Sequence, residues 1–232
     1  SWSVDYNLYD EYEYDNDITQ IGAASGGYAV SALTQNSSWI NEQTLSYRAN
    51  PGGNHSLGIL VGNTIQSNTI KFNEAEGTGF PNNAYTQISS ASTRTASQTW
   101  YKSNLASFFS RFDYSFNNKY FLEASLRADG SSRFGTNNKW GYFPSIGAAW
   151  RISEENFLNG SGLLNDLKIR ASYGFIGNQN GINDFASKGL WSGGAGYPDN
   201  TTGGDKPGTA PLQLGNPGLR WERTRQADAG VD

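Results

Sequence analysis

Cysteine is absent from the 232 residues, and histidine occurs once, as His55. Disulfides and thiolate metal sites are therefore excluded, and the redox state of the compartment is left open. So few reactive groups assemble no nucleophile–base constellation, and one Ser between two Gly at Gly160-Ser161-Gly162 does not make a nucleophile elbow. No catalytic residue is assigned. Charge is sparse as well: 16% of residues are charged, the net charge is −4, and no basic cluster argues for nucleic acid. No apolar run approaches the roughly 18 residues that a transmembrane helix needs. Mean hydropathy is −0.60. That value does not establish solubility, because a barrel strand alternates lipid-facing and lumen-facing residues and dilutes its own signal.

What is present is aromatic and glycine-rich. The 13 Tyr, 12 Phe and 7 Trp make up 14% of the chain, beside 28 Gly. Disordered segments are poor in aromatics, so this mixture points to many strands joined by turns and loops. The clearest segment covers residues 105–129. Ala106, Phe108, Ser110, Phe112, Tyr114 and Phe116 alternate with Ser107, Phe109, Arg111, Asp113 and Ser115. After Asn117-Asn118, Tyr120, Leu122, Ala124, Leu126 and Ala128 alternate with Phe121, Glu123, Ser125, Arg127 and Asp129. Period-two alternation about an Asn-Asn pair predicts a β-hairpin with every strand charge on one face.

The pattern recurs around residues 142–152 and 167–175. Pro144 is awkward in a paired strand and predicts a bulge or weak edge. Shorter signals lie at Trp2–Leu8, Leu45–Ala49, 57–72 and 219–232, giving about eight strands. In the last, Arg223 and Arg225 share a parity with Trp221. Such arginines must lie outside the hydrocarbon zone if that face meets lipid, because Arg at mid-bilayer costs about 2–4 kcal/mol. The connections at residues 50–54, 117–118 and 153–165 are short. Those at 15–36, 73–97 and 178–216 are long, with a brief one at 135–139. Short turns at one end and long loops at the other match outer-membrane barrels, whose long loops are extracellular. The strand at Trp2–Leu8 then runs outward, and the strand at 219–232 runs inward. The chain stops at Val231-Asp232 inside a strand pattern, which predicts a fragment of a longer protein.

Five segments in order resemble the barrel of the SusC/RagA family. They are Arg-Ala-Asp-Gly-Ser-Ser-Arg-Phe-Gly at 127–135, Asn-Lys-Trp-Gly-Tyr-Phe-Pro-Ser at 138–145 and Ala-Trp-Arg-Ile-Ser-Glu-Glu-Asn-Phe at 149–157. Leu-Lys-Ile-Arg-Ala-Ser-Tyr-Gly at 167–174 leads into Gly177-Asn178-Gln179, and Gly-Asn-Pro-Gly-Leu-Arg-Trp-Glu-Arg-Thr-Arg-Gln fills 215–226. They cover residues 105–232; the first hundred carry no such motif. The resemblance implies an all-β, antiparallel transmembrane barrel segment, about 8 strands of a barrel of about 22. Residues 1–232 would be barrel wall and loops, with the plug domain and TonB box outside them. It further implies a Bacteroidetes-type outer-membrane importer of oligosaccharides or oligopeptides, lidded by a SusD-like surface lipoprotein and energised by TonB–ExbB–ExbD. Two rivals stand beside it: a β-sandwich adhesin or glycan-binding module, and a TonB-dependent receptor for siderophores or cobalamin.

Most aromatics read as lipid-facing residues and interfacial girdles. Trp191 and Tyr197 differ, lying in a long Gly-rich loop where they could contact substrate or the lid lipoprotein, although packing within the loop is favoured. Arg111, Asp113, Glu123, Arg127, Asp129, Arg151, Lys168 and Arg170 share the polar parity. They read as a wet lumen wall of cross-strand ion pairs or as docking to the plug, and alternatively as substrate-selecting. Asp5, Asp10, Glu11, Glu13, Asp15 and Asp17 offer oxygen ligands for Ca²⁺ on an extracellular loop, without EF-hand spacing; solvated surface is favoured, and no other cofactor is expected. In the 127–135 segment, Gly and Ser relax the backbone at a strand end, while Asp129 and Arg133 can pair nearby. The sequons at Asn36 and Asn200 carry no meaning in a bacterial outer membrane.

Overall fold

The computed structural model describes residues 1–158, 166–199 and 204–232. The Gly160-Ser161-Gly162 triplet, the Asn200 sequon and the later part of the 153–165 connection lie outside them. The strands are β1 (Trp2–Asp15), β2 (Tyr28–Ala49), β3 (His55–Thr78), β4 (Thr93–Phe116), β5 (Tyr120–Ser131), β6 (Trp140–Arg151), β7 (Lys168–Asn178), β8 (Leu190–Asp199), β9 (Gly204–Gln213) and β10 (Glu222–Val231). Eight of them form one sheet in the order β1-β2-β3-β4-β5-β6-β7-β10, and β8 and β9 form a separate two-stranded sheet. A sandwich needs two sheets packed face to face over a shared core. The single large sheet here, with its apolar face bare, answers the adhesin reading.

The chain divides into two units, one of residues 2–40 and 66–103 and the other of residues 1, 41–65 and 104–232. In the first, the loops expected at 15–36 and 73–97 are shorter than that. β2, β3 and β4 run for 22, 24 and 24 residues, about twice the 9–11 that cross hydrocarbon. These extensions escape a periodicity search because segments such as Gln35-Asn36-Ser37-Ser38 are polar on both faces. A strand with water on both sides needs no apolar parity. The remaining connections are tied together. Gly79 and Phe80 donate backbone N–H groups to Ser25 and Gly26 at 2.9 and 2.8 Å. The Tyr14 ring meets Phe80 edge-on at 5.1 Å, and Tyr12 O–H donates to the Thr86 carbonyl.

The second unit carries the predicted hairpin. Asn117 and Asn118 take φ of 50° and 55°, the left-handed conformation that asparagine tolerates best after glycine. Phe116 pairs with Tyr120, so Lys119 is an extra residue in the turn. Of the two expectations at Pro144, the weak edge holds and the bulge does not: Pro144 pairs with Leu126 in unbroken register. The ladder to β7 begins only at Ser145, so the missing N–H of proline falls where one side has no partner strand. Apolar side chains on one parity are exposed, among them Phe108 (52%), Leu126 (48%) and Ile146 (54%). Very little is buried, as expected of a single sheet.

Candidate functional site

The registers place all eight charged candidates on one face. Starting from the end of the sheet at Tyr120, the first row sets Arg151 opposite Lys168. The next holds Phe121, Ala149, Arg170 and Gly230. Then come Asp113, Glu123, Gly147, Ser172 and Asp228. Arg111, Ser125, Ser145, Gly174 and Gln226 follow. Phe109, Arg127 and Phe143 form a fifth row, and Ser107, Asp129 and Gly141 a sixth. Rows two residues apart are about 7 Å apart. The face is therefore banded from the Tyr120 end: basic, acidic, basic, and acidic again at Asp129.

Each band is held by contacts across strands. Asp113 faces Glu123 directly, a like-charge pair that would repel. Arg111 Nη2 bridges them, 2.8 Å from Asp113 and 3.0 Å from Glu123. All three side chains are about half exposed, so solvent screens the pairs to roughly 0–1 kcal/mol each. Arg127 Nε lies 2.8 Å from Asp129 Oδ1, and its Nη2 donates to Ser107 Oγ at 3.0 Å. The Arg127 guanidinium stands 5.8 Å from the Phe109 ring centre. Phe109 in turn lies flat over Gly62, where an added Cβ would meet the ring at 2.5 Å.

At the Tyr120 end, the turn after β6 supplies Glu155. Its carboxylate accepts from Tyr120 O–H at 2.6 Å and Trp150 Nε1 at 3.1 Å, with Lys119 Nζ at 3.6 Å. The Tyr120 and Trp150 hydrogen bonds, then the Lys119 charge, hold the Glu155 carboxyl below its ordinary range. The rings of Phe116, Tyr120 and Trp150 stack in a row at 6.4 and 6.3 Å.

At the opposite end, two motifs about eighty residues apart in sequence meet. Phe134 is 1% exposed and lies 4.6 Å from the Trp221 ring. Trp221 also meets Phe143 edge-on at 5.5 Å and donates its indole N–H to the Lys139 carbonyl at 2.8 Å. Gly135 N–H donates to the Leu219 carbonyl at 2.9 Å. Asp129 and Arg133 do not pair with each other: Asp129 binds Arg127, and Arg133 binds the distant Asp184 at 2.8 Å. Trp221, grouped with Arg223 and Arg225 by parity alone, lies outside β10; the two arginines instead approach the Phe175 ring at 4.6 and 5.9 Å.

Trp191 and Tyr197 stand on the β8–β9 ribbon, 67% and 53% exposed. Gly193 pairs with Thr209 but Ala195 with Gly208, so Gly194, at φ 84°, is an extra residue. That bulge reverses the alternation. Trp191 and Tyr197 therefore face opposite ways and do not form one patch. The ribbon escapes sequence reading because Pro198, Pro207 and Pro211 lie in its strands and argue against pairing. Its base is fastened by Gln213 Nε2, which donates to the carbonyls of Phe185, Ala186 and Lys188 at 3.1, 3.4 and 2.9 Å. The acidic run from Asp5 lies mostly on β1, and among the described residues no three His, Cys, Asp or Glu side chains are placed to hold a metal ion together.

Comparison with known proteins agrees with this geometry. Residues 1–232 match a family described as "TonB dependent receptor-like, beta-barrel". A TonB-dependent receptor of Formosa agariphila is 38% identical over 196 residues, covering 83% of this chain and 18% of that protein. The TonB-dependent receptor SusC of Bacteroides thetaiotaomicron is 40% identical over 131 residues, covering 56% and 13%. The RagAB peptide transporter superposes with a TM-score of 0.86 at 25% identity, over 99% of this chain and 25% of that one. The chain thus spans about a fifth or less of these curated relatives.

Proposed function

The chain belongs to the TonB-dependent receptor β-barrel family, and from that premise we propose that it forms part of the wall of an outer-membrane nutrient importer. Its cargo is an oligopeptide or oligosaccharide, its lid a SusD-like lipoprotein, and its energy comes from TonB–ExbB–ExbD. The observation that carries this reading is the division of the sheet into two faces. One bears the banded charges. The other bears exposed apolar side chains between two aromatic rows, Phe116–Tyr120–Trp150 and Phe108–Trp140. Ten residues separate Trp150 from Trp140, about 33 Å along a strand and about 25 Å along the normal at a tilt of roughly 40°. That is the height of an outer-membrane apolar band.

Oligopeptides suit the wall better than neutral sugars. Two basic rows alternate with one acidic row along the face, matching a chain that carries both signs. The structural neighbour named a peptide transporter points the same way. Trp191 and Tyr197, on opposite faces of an exposed ribbon, would make separate contacts, one toward cargo and one toward the lipoprotein. The test is uptake of a labelled oligopeptide mixture by cells with and without the full-length receptor, in strains with and without TonB. Uptake that needs both supports the reading, together with co-purification of a surface lipoprotein. Uptake indifferent to the receptor sinks it, and a receptor that binds only a ferric siderophore or cobalamin favours the rival.

A further inference from the structure

We propose that the Tyr120 end of the charged wall is a carboxylate-binding site seated on Phe121, an inference that rests on the charged face lining the barrel lumen. Three cations converge there from adjacent strands. Lys168 Nζ lies 4.9 Å and the Arg151 guanidinium 5.8 Å from the centre of the Phe121 ring. Arg170 sits in the same row as Phe121, its guanidinium lying flat over Gly230, where an added Cβ would meet Nε at 2.9 Å. Arg48 lines a groove together with Phe121, Lys168 and Arg170, which Asp113, Glu123 and Asp228 line as well.

The cations are incompletely neutralised. Arg170 has Asp232 at 3.2 Å. Arg151 Nε is 3.5 Å from Asp166, and it is buried with no hydrogen-bond acceptor among the described residues. Lys168 has no carboxylate within 4.0 Å among them. A buried guanidinium N–H without an acceptor leaves the desolvation cost of that donor unmet. Both cations lie near the Phe121 ring, whose negative face attracts them. Two cations beside one ring can each give a carboxylate a charge-assisted hydrogen bond. The acidic band of Asp113, Glu123 and Asp228 lies one row further along the wall and limits how much anion enters, so a lone carboxylate suits the site better than a polyanion.

Such a carboxylate has two sources, an acidic peptide cargo or an acidic side chain of the receptor's own plug domain. The experiment uses the full-length receptor in detergent, with tetraglutamate and tetraglutamine as probes. Its variants are Arg151→Gln with Lys168→Gln, Phe121→Leu, and Lys168→Arg as the charge-conserving control. If cargo supplies the group, the double variant binds tetraglutamate roughly tenfold more weakly, as loss of charge-assisted hydrogen bonds does, while tetraglutamine binding stays constant. Phe121→Leu then loses part of that affinity with both charges still present. If the plug supplies it, neither peptide changes, and hydrogen exchange rises in an acidic plug segment of the double variant. Variants that match the wild type in both readouts overturn the proposal. TonB-dependent uptake by the wild type separates that outcome from failure of the importer reading, which would show as no uptake at all.

Discussion

The carbonyl oxygen of Pro217 occupies the place where a β-carbon on residue 135 would stand, 1.8 Å from the ideal position. Glycine is required at 135 because another motif's backbone has taken the room. Gly135→Ala must push the 215–221 segment away and break the Gly135–Leu219 hydrogen bond. Backbone cannot give way as a flexible side chain does, so the expected loss is about 1–3 kcal/mol or more. It would be read as an earlier heat-induced mobility shift of the full-length receptor. Gly193→Ala, with nothing within 4 Å, should leave that shift unchanged.

Phe134 and Trp221 act as one packed unit. Phe134→Ala should cost about 3–5 kcal/mol, as truncation of a buried aromatic does. Trp221→Ala made in the same background should then add less than it costs alone. A double-mutant cycle should return a coupling of roughly 0.5–1.5 kcal/mol. Simple additivity would show that the two motifs do not support each other.

Glu155 makes the rim sensitive to acid. Its carboxyl lies below the ordinary range in the folded chain, so the unfolded chain takes up its proton first as pH falls. The stabilising contribution is therefore complete above the unfolded pKa and is lost as pH drops through the folded one. Glu155→Gln should shift thermal unfolding at neutral pH, and the difference from wild type should vanish in strong acid. An equal difference at both ends would remove Glu155 as the source.

Removing Arg111 leaves Asp113 and Glu123 face to face. Arg111→Ala should destabilise by about 0.5–1 kcal/mol after screening is allowed for. Added salt should diminish the effect, and Glu123→Gln in the same background should restore most of it. If the second substitution rescues nothing, the carboxylate pair is not the cause.

Position along the apolar face should set the cost of a charge. Ile146→Arg, between the two aromatic rows, should cost about 2–4 kcal/mol, and Tyr142→Arg, beside Trp140, about 0–1 kcal/mol. Insertion yield into lipid vesicles and quenching of Trp140 and Trp150 by brominated lipid would check both placements. Equal costs would contradict the assigned band.

Alternation at residues 105–129 announced the hairpin and the shared face of Arg111, Asp113, Glu123, Arg127 and Asp129, because a strand's side-chain period is two whatever surrounds it. The family motifs were equally plain. Less was legible where neither face is apolar, as in the outer reaches of β2 and β3, or where proline argues against pairing, as in β9. The Asn117-Asn118 turn was readable, while its extra residue, Lys119, was not, since a register belongs to two strands together.

By itself, then, the sequence determined strand parity and the family, which are local periodicities and ordered motifs; the expected sorting of loops by length did not hold, since the connection from β6 to β7 is longer than those from β1 to β2 and from β3 to β4. Only the tertiary structure decided which rows those charges form, that Trp191 and Tyr197 face apart, and that Phe121 seats two cations. It also decided that Gly135 yields its space to Pro217. These depend on registers, a bulge and the approach of segments distant in the chain. Pairing between strands sets such relations, and no single segment encodes them.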